Sequence, residues 1–369
     1  MEENFGKKLR GVNLGGWLVM EKWMTPSLFE GLQASDETTW CVELGDGARD
    51  RLVKHWETFI TESDFRWLSQ VGINSVRIPV GFWLFGSPYP YHPKYAGKAH
   101  PFVEGGLVYL DSAFDWAERY GINIVLDLHA APGCQNGFDN GGMHGVCEWH
   151  HKEEYIQFAL QTLERLAERY GKRFALIGIE VLNEPHWDIP TDLLKKYTQD
   201  AYAKIRNHCD KYEVAVVFHD AFRSHKEFHN FMQEPQYSNV IFDIHRYQCF
   251  GSADTDMDIY GHIQKAAIHW KIEAEEIINQ LKLWTYVGEW SLGLDQKVVS
   301  LWAQGPFNHA LEHMDEFQQT VAYRAYGAVQ LTTFEKYMGW FFWSYKTEAT
   351  PAWCFRECVN RGWLPDKFD

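Results

Sequence analysis

Eight short β-rich runs alternate with longer stretches of helical periodicity along the 369 residues of the chain. In order, the runs read LRGVNLGG, NSVRIPV, INIVLDLHA, LIGIEVLNEP, VAVVFHDAF, VIFDIHRY, WTYVGEW and GWFFWSY. Between them lie amphipathic stretches such as DFRWLSQVG, LDSAFDWAERYG and EEYIQFALQTLERLAERYG, which end on glycine. Eight βα repeats in one chain predict an α/β fold, a closed (β/α)8 TIM barrel that forms a single domain over residues 1–369.

A doubly wound open sheet is the structural alternative to the barrel. Three segments depart most from the simple repeat, and they are residues 24–60, 84–108 and 131–151, rich in glycine, proline and aromatic residues. We expect these segments to be enlarged βα loops that build a cleft.

Charge and aromatic content narrow the choice of partner. The formal net charge of −15 lacks the basic footprint that nucleic-acid binding needs. No run of about 18 uncharged apolar residues is present, so we expect no membrane span. The aromatic content is 16%, and such rings can stack on the C–H faces of sugars. We therefore expect a neutral, sugar-like substrate. We also expect the protein to be a monomer.

The N-terminal segment and the cysteines bear on the compartment. MEENFGKKLRGVNLGG reaches a predicted strand without an apolar segment, which indicates a cytoplasmic protein as the sequence stands, or a secreted or periplasmic one if a signal was removed. Seven scattered cysteines fit buried thiols in a reducing compartment better than a disulfide framework.

Polar and aromatic side chains sit at the C-terminal ends of the runs. They are Arg77, His129, Asn183 with Glu184, His245 with Tyr247, Glu289 and Trp343. In a barrel these strand ends meet around one axis, so the side chains are predicted to face one pocket. Taken singly, each has a plainer reading, such as a solvated acid, a hydrogen-bonded structural group or a core aromatic.

Glu184 and Glu289 come from the fourth and seventh runs and are predicted to face each other. Glycoside hydrolysis requires such a pair, because one carboxylic acid protonates the leaving oxygen while a carboxylate attacks or activates water. Proximity of the two carboxyls is expected to raise one pKa, and a nearby cation such as Arg77 is expected to keep the other carboxyl ionised.

The other strand-end residues suit sugar binding. Asn183 is placed to bind a substrate hydroxyl, and Tyr247 can donate to the nucleophile or hold its orientation. His129 and His245 can carry protons or fix neighbouring rings. Trp343 can form the floor of a sugar site.

Seven ordered segments cover nearly the whole chain. They are LRGVNLGGWLVMEKWMTPSLFEG (9–31), SVRIPVGFW (75–83), DLHAAPGCQNGFDN (127–140), NEP (183–185), HRYQCF (245–250), GEWS (288–291) and FWSYKTE (342–348). As a set they resemble glycoside hydrolase family 5, and within it the exo-β-1,3-glucanases of the fungal type. NEP alone is a weak signal, whereas the ordered set is specific.

The resemblance implies roles for individual residues. Glu184 matches the acid/base and Glu289 the nucleophile of a retaining mechanism. Arg77, His129, Asn183, His245, Tyr247 and Trp343 match pocket residues, Glu21 and Asn140 match positions that hold the terminal glucose, and Phe138 and Phe250 match an aromatic pair at the entrance. We expect neither a cofactor nor a metal.

Four residues depart from the family pattern. Arg246 stands where a second histidine is usual, Tyr345 where tryptophan is common, and Met20 and Lys22 replace leucine and proline beside Glu21. These residues are predicted to flank the pocket, where they bear on linkage preference rather than on the chemistry.

The predicted function is hydrolysis of β-1,3-glucan from the non-reducing end. The alternatives are the same chemistry on β-1,6- or β-1,4-glucan, short oligosaccharides or a glucosylated lipid, a barrel metallohydrolase, or a glycan-binding relative without activity. The first run lacks the His-x-His pair of a metallohydrolase, and both glutamates are present. In HGVCEWHH (144–151), histidine and cysteine residues stand at the spacing of metal ligands, but the second pair of ligands that a zinc site needs is missing. The glycines of LGGW are predicted to allow close packing at the first strand.

Overall fold

A computed structural model describes residues 7–86, 88, 102–255, 257–294 and 314–369. Eight parallel strands form a closed barrel in chain order. Strands β1 to β8 span Leu9–Asn13, Ser75–Gly81, Asn123–Ala130, Leu176–Glu180, Ala215–His219, Val240–Gln248, Trp284–Leu294 and Gly339–Phe342. Each strand lies within or overlaps one of the eight predicted runs, so the predicted barrel is confirmed.

Helices cover the outside of the barrel between the strands. In the described ranges, α1 to α11 span Glu37–Leu44, Ala48–Phe59, Glu62–Gln70, Leu107–Tyr120, Glu153–Tyr170, Thr191–Arg206, Ser252–Thr255, Ile259–Gln264, Trp270–Leu281, Glu316–Phe334 and Phe355–Asn360. A π-helical turn, Lys265–His269, joins α8 to α9. The amphipathic stretches of the sequence become α3, α4, α5 and α6, whose apolar faces cover the strands.

Pairing of the first and last strands closes the barrel. Leu9 on β1 pairs with Gly339 on β8, and Val12 pairs with Phe342. The open-sheet alternative is therefore wrong, because an open sheet would leave these two strands as edges.

The barrel interior changes from apolar to polar along the strands. Its lower part is a separate apolar cluster that includes Leu9, Val217 and Phe341. Because side chains two apart face the same side of a strand, each strand continues this face toward the barrel mouth. On two strands an apolar residue is followed by an acid and then a histidine: Val125, Asp127 and His129 on β3, and Ile241, Asp243 and His245 on β6.

The predicted loop segments differ in structure. Residues 24–60 contain α1 and α2 as well as two 3-10 turns, so this segment is more helical than a simple loop. Residues 131–151 form a long irregular connection with two short 3-10 turns. Much of 84–108 lies outside the described residues, so the structure does not test the prediction that this segment is an enlarged loop.

Three further features follow from the described residues. None of the seven cysteines forms a disulfide there, and six of them are buried, as predicted. The helices that the structure describes include none long and apolar enough to cross a bilayer. A Cβ added at Gly15 would lie 2.7 Å from the Trp343 ring, which confirms that LGGW allows close packing at β1.

We predict that Gly339→Ala destabilises the barrel. An added Cβ would lie 2.3 Å from the Leu9 carbonyl oxygen, so the closing pair of strands would have to separate. The expected loss is about 1 to 3 kcal/mol in the free energy of unfolding, measured by urea denaturation. Gly47→Ala is the control, because a Cβ added there would have nothing within 4 Å and its φ of −73° suits alanine. Equal unfolding midpoints for the two variants would contradict the prediction.

Candidate active site

Arg77, on β2, lies fully buried at the centre of the barrel mouth. Its nitrogen atoms donate four hydrogen bonds. Nε donates to Glu180 at 2.7 Å, Nη1 to Asn13 at 2.9 Å and Glu289 at 3.0 Å, and Nη2 to Asn183 at 2.8 Å. Nη2 also forms an ion pair with Asp127 Oδ2 at 3.1 Å. Burial by itself lowers the pKa of Arg77, but Asp127, Glu180 and Glu289 raise it well above its ordinary value. The guanidinium therefore remains a fixed positive charge.

Glu289, on β7, is surrounded by groups that favour its carboxylate. Arg77 donates to Oε1 at 3.0 Å and the Tyr247 hydroxyl donates to Oε2 at 2.8 Å. Burial raises the pKa of Glu289, and the charge of Glu184 raises it further, whereas His245 and Arg77 lower it. The contacts nevertheless stabilise the charged form, because both donors point at the carboxylate oxygens.

Glu184 follows β4 with φ at 42°, a left-handed conformation that is uncommon outside glycine. Oε1 lies 2.7 Å from His245 Nδ1, and Oε2 accepts a hydrogen bond from Asn140 Nδ2 at 3.4 Å. Burial lowers the pKa of His245 to about 4, so its ring is neutral at pH 7. Burial also raises the pKa of Glu184, although His129 and Arg77 lower it. Its direct partners in the described structure are thus neutral, which suits a carboxyl that holds a proton.

His245 fixes an upper limit on the distance between the two glutamates. Its Nδ1 lies 2.7 Å from Glu184 Oε1 and 3.4 Å from Glu289 Oε2. Since no side of a triangle exceeds the sum of the other two, these two oxygens lie no more than roughly 6 Å apart, which is compatible with the close carboxyl pair of a retaining glycosidase.

The pKa prediction for this pair is only partly right. From the sequence, we expect proximity to raise one pKa and Arg77 to keep the other carboxyl ionised. Burial is instead the largest cause of a raised pKa in both Glu184 and Glu289. What separates the two carboxyls is their direct contacts, since only Glu289 touches the guanidinium.

His129, Asn183 and Trp343 line the same pocket. His129 Nδ1 lies 2.6 Å from Asp127 Oδ2, and its ring lies nearly parallel to that of Trp343 with centroids 5.4 Å apart. His129 Nε2 and Asn183 Nδ2 are buried and have no hydrogen-bond partner among the described residues. The hydrogen-bonding capacity of these two atoms is therefore not used by the described part of the protein.

Glu21 lies close to the two glutamates, although it comes from the loop after β1. It is 3% exposed, and Oε2 accepts a hydrogen bond from Trp23 Nε1 at 2.8 Å. Burial raises the pKa of Glu21 well above its ordinary value, and Asp139, Glu289 and Glu184 raise it further. Its other oxygen has no hydrogen-bond partner in the described part of the chain. A neutral Glu21 carboxyl can both donate to and accept from a sugar hydroxyl.

The predicted entrance aromatics lie at the rim. Phe138 lies 6.5 Å from Trp187, centroid to centroid. Phe250 is 76% exposed, meets Tyr247 edge-on at 5.5 Å and lies 6.3 Å from Trp353. The structure thus gives each predicted aromatic a tryptophan neighbour that the sequence argument did not single out.

Five residues of the site were missed from the sequence. They are Asn13, Asp127, Glu180, Asp243 and Trp353. Asp127 and Asp243 each stand two residues before a predicted pocket histidine on the same strand, and this spacing could have revealed them. Burial raises the pKa of Asp127 to about 7 and that of Asp243 well above its ordinary value.

The residues that depart from the family pattern contact groups outside the pocket. Arg246 donates to both oxygens of Glu273, at 3.1 and 2.9 Å. Tyr345 is buried and donates to Asp64 at 2.8 Å. Arg246 stands between the pocket residues His245 and Tyr247 on β6, so its side chain points away from the sugar site.

Two sets of three buried side chains could hold a metal ion, judged by residue type and by the distances between their ligand atoms. They are Glu184, His219 and His245, and Glu180, Asp243 and His245. The backbone N–H of Ala221 donates to His219 Nδ1 at 2.9 Å, so the ring hydrogen is on Nε2, which cannot then bind a metal. Asp243 accepts from Gly288 N at 2.7 Å. In each set, a ligand residue is thus already engaged in a hydrogen bond within the protein. The expectation that the protein holds no metal stays a prediction.

The HGVCEWHH segment supplies no further ligand group. Its His144, Cys147, His150 and His151 are absent from the ligand groups found among the described residues. The rings of His150 and His151 lie 3.7 Å apart. The segment instead belongs to the long connection after β3.

Comparison with known proteins adds family information to this geometry. The model of Cellulase (glycosyl hydrolase family 5) matches residues 45–348. A glucan 1,3-beta-glucosidase of Blumeria graminis is 35% identical, with 98% of this chain and 88% of the relative covered. A glucan 1,3-beta-glucosidase of Candida oleophila is 36% identical, with coverage of 97% and 88%.

A solved structure supports the fold. The rutinosidase from Aspergillus niger superposes with a TM-score of 0.76 at 21% identity and covers 98% of each chain. At this identity the likeness establishes a shared architecture, and function has to be argued from the site.

We predict that Arg77→Lys destabilises the protein by about 3 kcal/mol or more. An ammonium has three donors, so at least one of the four oxygen atoms that accept from Arg77 would lose its partner while remaining buried, and the bidentate geometry of the guanidinium would be lost. Arg119→Lys is the control, because Arg119 is an exposed residue that pairs with Glu62 at the surface. Thermal unfolding of both variants tests the prediction, and a similar small loss in each would contradict it.

Proposed function

The chain belongs to glycosyl hydrolase family 5, and from this premise we propose that it is a retaining β-glucosidase that releases glucose from the non-reducing end of β-1,3-glucan. The observation that carries the proposal is that Glu184 and Glu289 both lie next to His245 Nδ1 while their other partners differ. A separation of roughly 5 to 5.5 Å between carboxyl groups suits direct attack by one of them, whereas inversion needs room for a water molecule.

In the first step Glu289 is the nucleophile. Its carboxylate attacks the anomeric carbon, and the bond from that carbon to the leaving oxygen breaks with both electrons going to the oxygen. The proton of Glu184 moves to the same oxygen, which leaves as a hydroxyl group. The product is a glucosyl ester of Glu289 and an ionised Glu184.

In the second step Glu184 acts as a base. Its carboxylate takes a proton from water, whose oxygen attacks the anomeric carbon and releases Glu289. Two inversions leave the glucose in the β configuration. His245, neutral and 2.7 Å from Glu184, can share a hydrogen with this carboxyl in either protonation state.

Arg77 and Tyr247 support the nucleophile. The guanidinium holds Oε1 of Glu289 and the phenol holds Oε2, so the carboxylate cannot rotate freely. His129, Asn183 and Glu21 supply buried polar atoms for the glucose hydroxyls. The names of the Blumeria graminis and Candida oleophila relatives support β-1,3-glucan as the substrate.

The test of this proposal is product analysis on matched oligosaccharides. We expect laminari-oligosaccharides to release β-glucose first, as followed by proton NMR, at a higher kcat/KM than β-1,4- and β-1,6-linked oligosaccharides of equal length. Initial α-glucose would overturn retention, and preference for another linkage would overturn the β-1,3 assignment.

The role of Glu289 as nucleophile is tested in the same assay. Glu289→Gly should lose turnover and regain it with azide as an α-glucosyl azide, because azide occupies the space of the missing carboxylate. Glu276→Gln, at an exposed position on α9, should retain wild-type activity. A Glu289→Gly variant with full activity would exclude the nucleophile role.

We predict that Tyr247→Phe shifts the acidic limb of the kcat/KM profile to higher pH. The Tyr247 hydroxyl stabilises the Glu289 carboxylate and so lowers its pKa, and removal of the hydroxyl raises that pKa. At low pH the variant then holds less of the ionised nucleophile. The basic limb, which reports Glu184, should stay in place, and kcat should fall about 10- to 100-fold.

Tyr109→Phe is the matched control for this experiment. Tyr109 also donates to a carboxylate, that of Glu57 at 3.3 Å, but lies outside the pocket. Its pH profile should coincide with that of the wild type. An unchanged acidic limb in Tyr247→Phe would show that the hydroxyl does not tune the nucleophile.

A further inference from the structure

Trp187 is a half-exposed indole beside the proposed active site. Its exposed fraction is 52%, and it stands three residues after Glu184. A single exposed aromatic side chain is common on protein surfaces and needs no explanation by itself. Trp187 differs from such residues because its backbone and its ring are both held by neighbouring groups.

Four contacts fix the position of Trp187. Arg223 Nη2 donates to the Trp187 carbonyl at 2.6 Å. The backbone of His186 donates to the Gln135 carbonyl at 3.0 Å, and the His186 ring accepts from the Asp188 N–H at 3.2 Å. The His186 imidazole stacks on the indole with centroids 4.0 Å apart and planes 30° apart. One face of the indole is therefore supported, and the exposed half of the side chain faces away from His186.

The indole is continuous with the pocket through the loop after β3. Phe138 lies 6.5 Å from Trp187, and its backbone N–H donates to Asn136 Oδ1 at 2.9 Å. Asn136 in turn donates to Asn140 at 3.0 Å, and Asn140 donates to Glu184 at 3.4 Å. A connected set of contacts thus runs from the proposed acid/base to Trp187.

Glu184 determines which part of a substrate would reach Trp187. An acid that protonates the leaving oxygen lies on the leaving-group side of the bond that breaks. The loop that touches Glu184 carries Phe138, and Trp187 packs 6.5 Å from Phe138 and is the more exposed of the two rings. With Phe138 as the entrance aromatic, we place Trp187 beside it on the leaving-group side and nearer to the solvent.

We propose that the exposed face of Trp187 is a binding platform for a glucosyl unit of the leaving group, beyond the unit next to the cleaved bond. The inference rests on the proposed function. An indole held in place loses little conformational entropy when a sugar ring stacks on it, so the contact contributes to binding of longer chains. A platform that contacts neither the reacting glucose nor the bond that breaks binds the substrate and the transition state equally, and its contribution appears in KM rather than in kcat.

The experiment compares Trp187→Ala with the wild type on substrates of different length. On laminaripentaose we expect KM to rise about five- to tenfold with kcat nearly unchanged. On laminaribiose and on 4-nitrophenyl β-glucoside, which are too short to reach the platform, kcat/KM should equal that of the wild type. Trp187→Tyr, which keeps an aromatic face, should restore most of the binding of laminaripentaose.

Trp284→Ala is the matched control. Trp284 is 40% exposed and begins β7, at the opposite end of the barrel from the pocket. It should leave KM unchanged for every substrate length. Equal effects of Trp187→Ala on short and long substrates, or no effect on laminaripentaose, would overturn the platform.

Failure of the proposed function gives a different result. A wild-type enzyme that cleaves 4-nitrophenyl β-glucoside but not laminari-oligosaccharides would contradict the β-1,3 assignment. The platform is then decided by the same comparison of lengths on the β-linked oligosaccharide that the enzyme does cleave. A length-dependent rise in KM for Trp187→Ala supports it there, and the absence of one overturns it.

Discussion

Arg77 is wholly buried and donates to four oxygen atoms, carried by β1, β4, the segment after β4, and β7, and it forms an ion pair with a fifth oxygen on β3. A guanidinium can satisfy so many acceptors only if they converge on its plane, so the closure of the barrel and the geometry of the site are linked. The same charge allows several carboxyl groups to be buried together. The proposed nucleophile Glu289 is one of these partners, and the segment that carries Glu184 is held next to it through Asn183.

Burial and hydrogen bonding divide the work of the two proposed catalytic carboxyls. Burial raises the pKa of both, which keeps a proton available at a pH where ordinary carboxylic acids have lost it. The contacts then differ, because Glu289 faces a cation and a phenol whereas Glu184 faces a neutral imidazole and an amide. The acid and the nucleophile thus differ in their surroundings rather than in their type.

Much of the fold and part of the site could be predicted from the sequence. Strand periodicity located all eight strands, and the strand-end residues Arg77, His129, Glu184 and Glu289 meet in one pocket as expected. Asp127 and Asp243 were missed because an acid inside an apolar run cannot be assigned a role until the position of the cation Arg77 is known. Trp187 was missed because neither its exposure nor its contact with His186 can be read from the sequence around it.

The sequence by itself determined the number of strands, their order and the residues at their ends, because periodicity and strand-end position are local properties of the chain. The ordered motifs also determined the family. Only the tertiary structure decided that five oxygens meet one guanidinium, that His245 bridges the two glutamates, and that burial raises the pKa of both carboxyls. Those outcomes depend on distances between segments that are up to 276 positions apart in the chain, from Asn13 to Glu289, and no local pattern sets such distances.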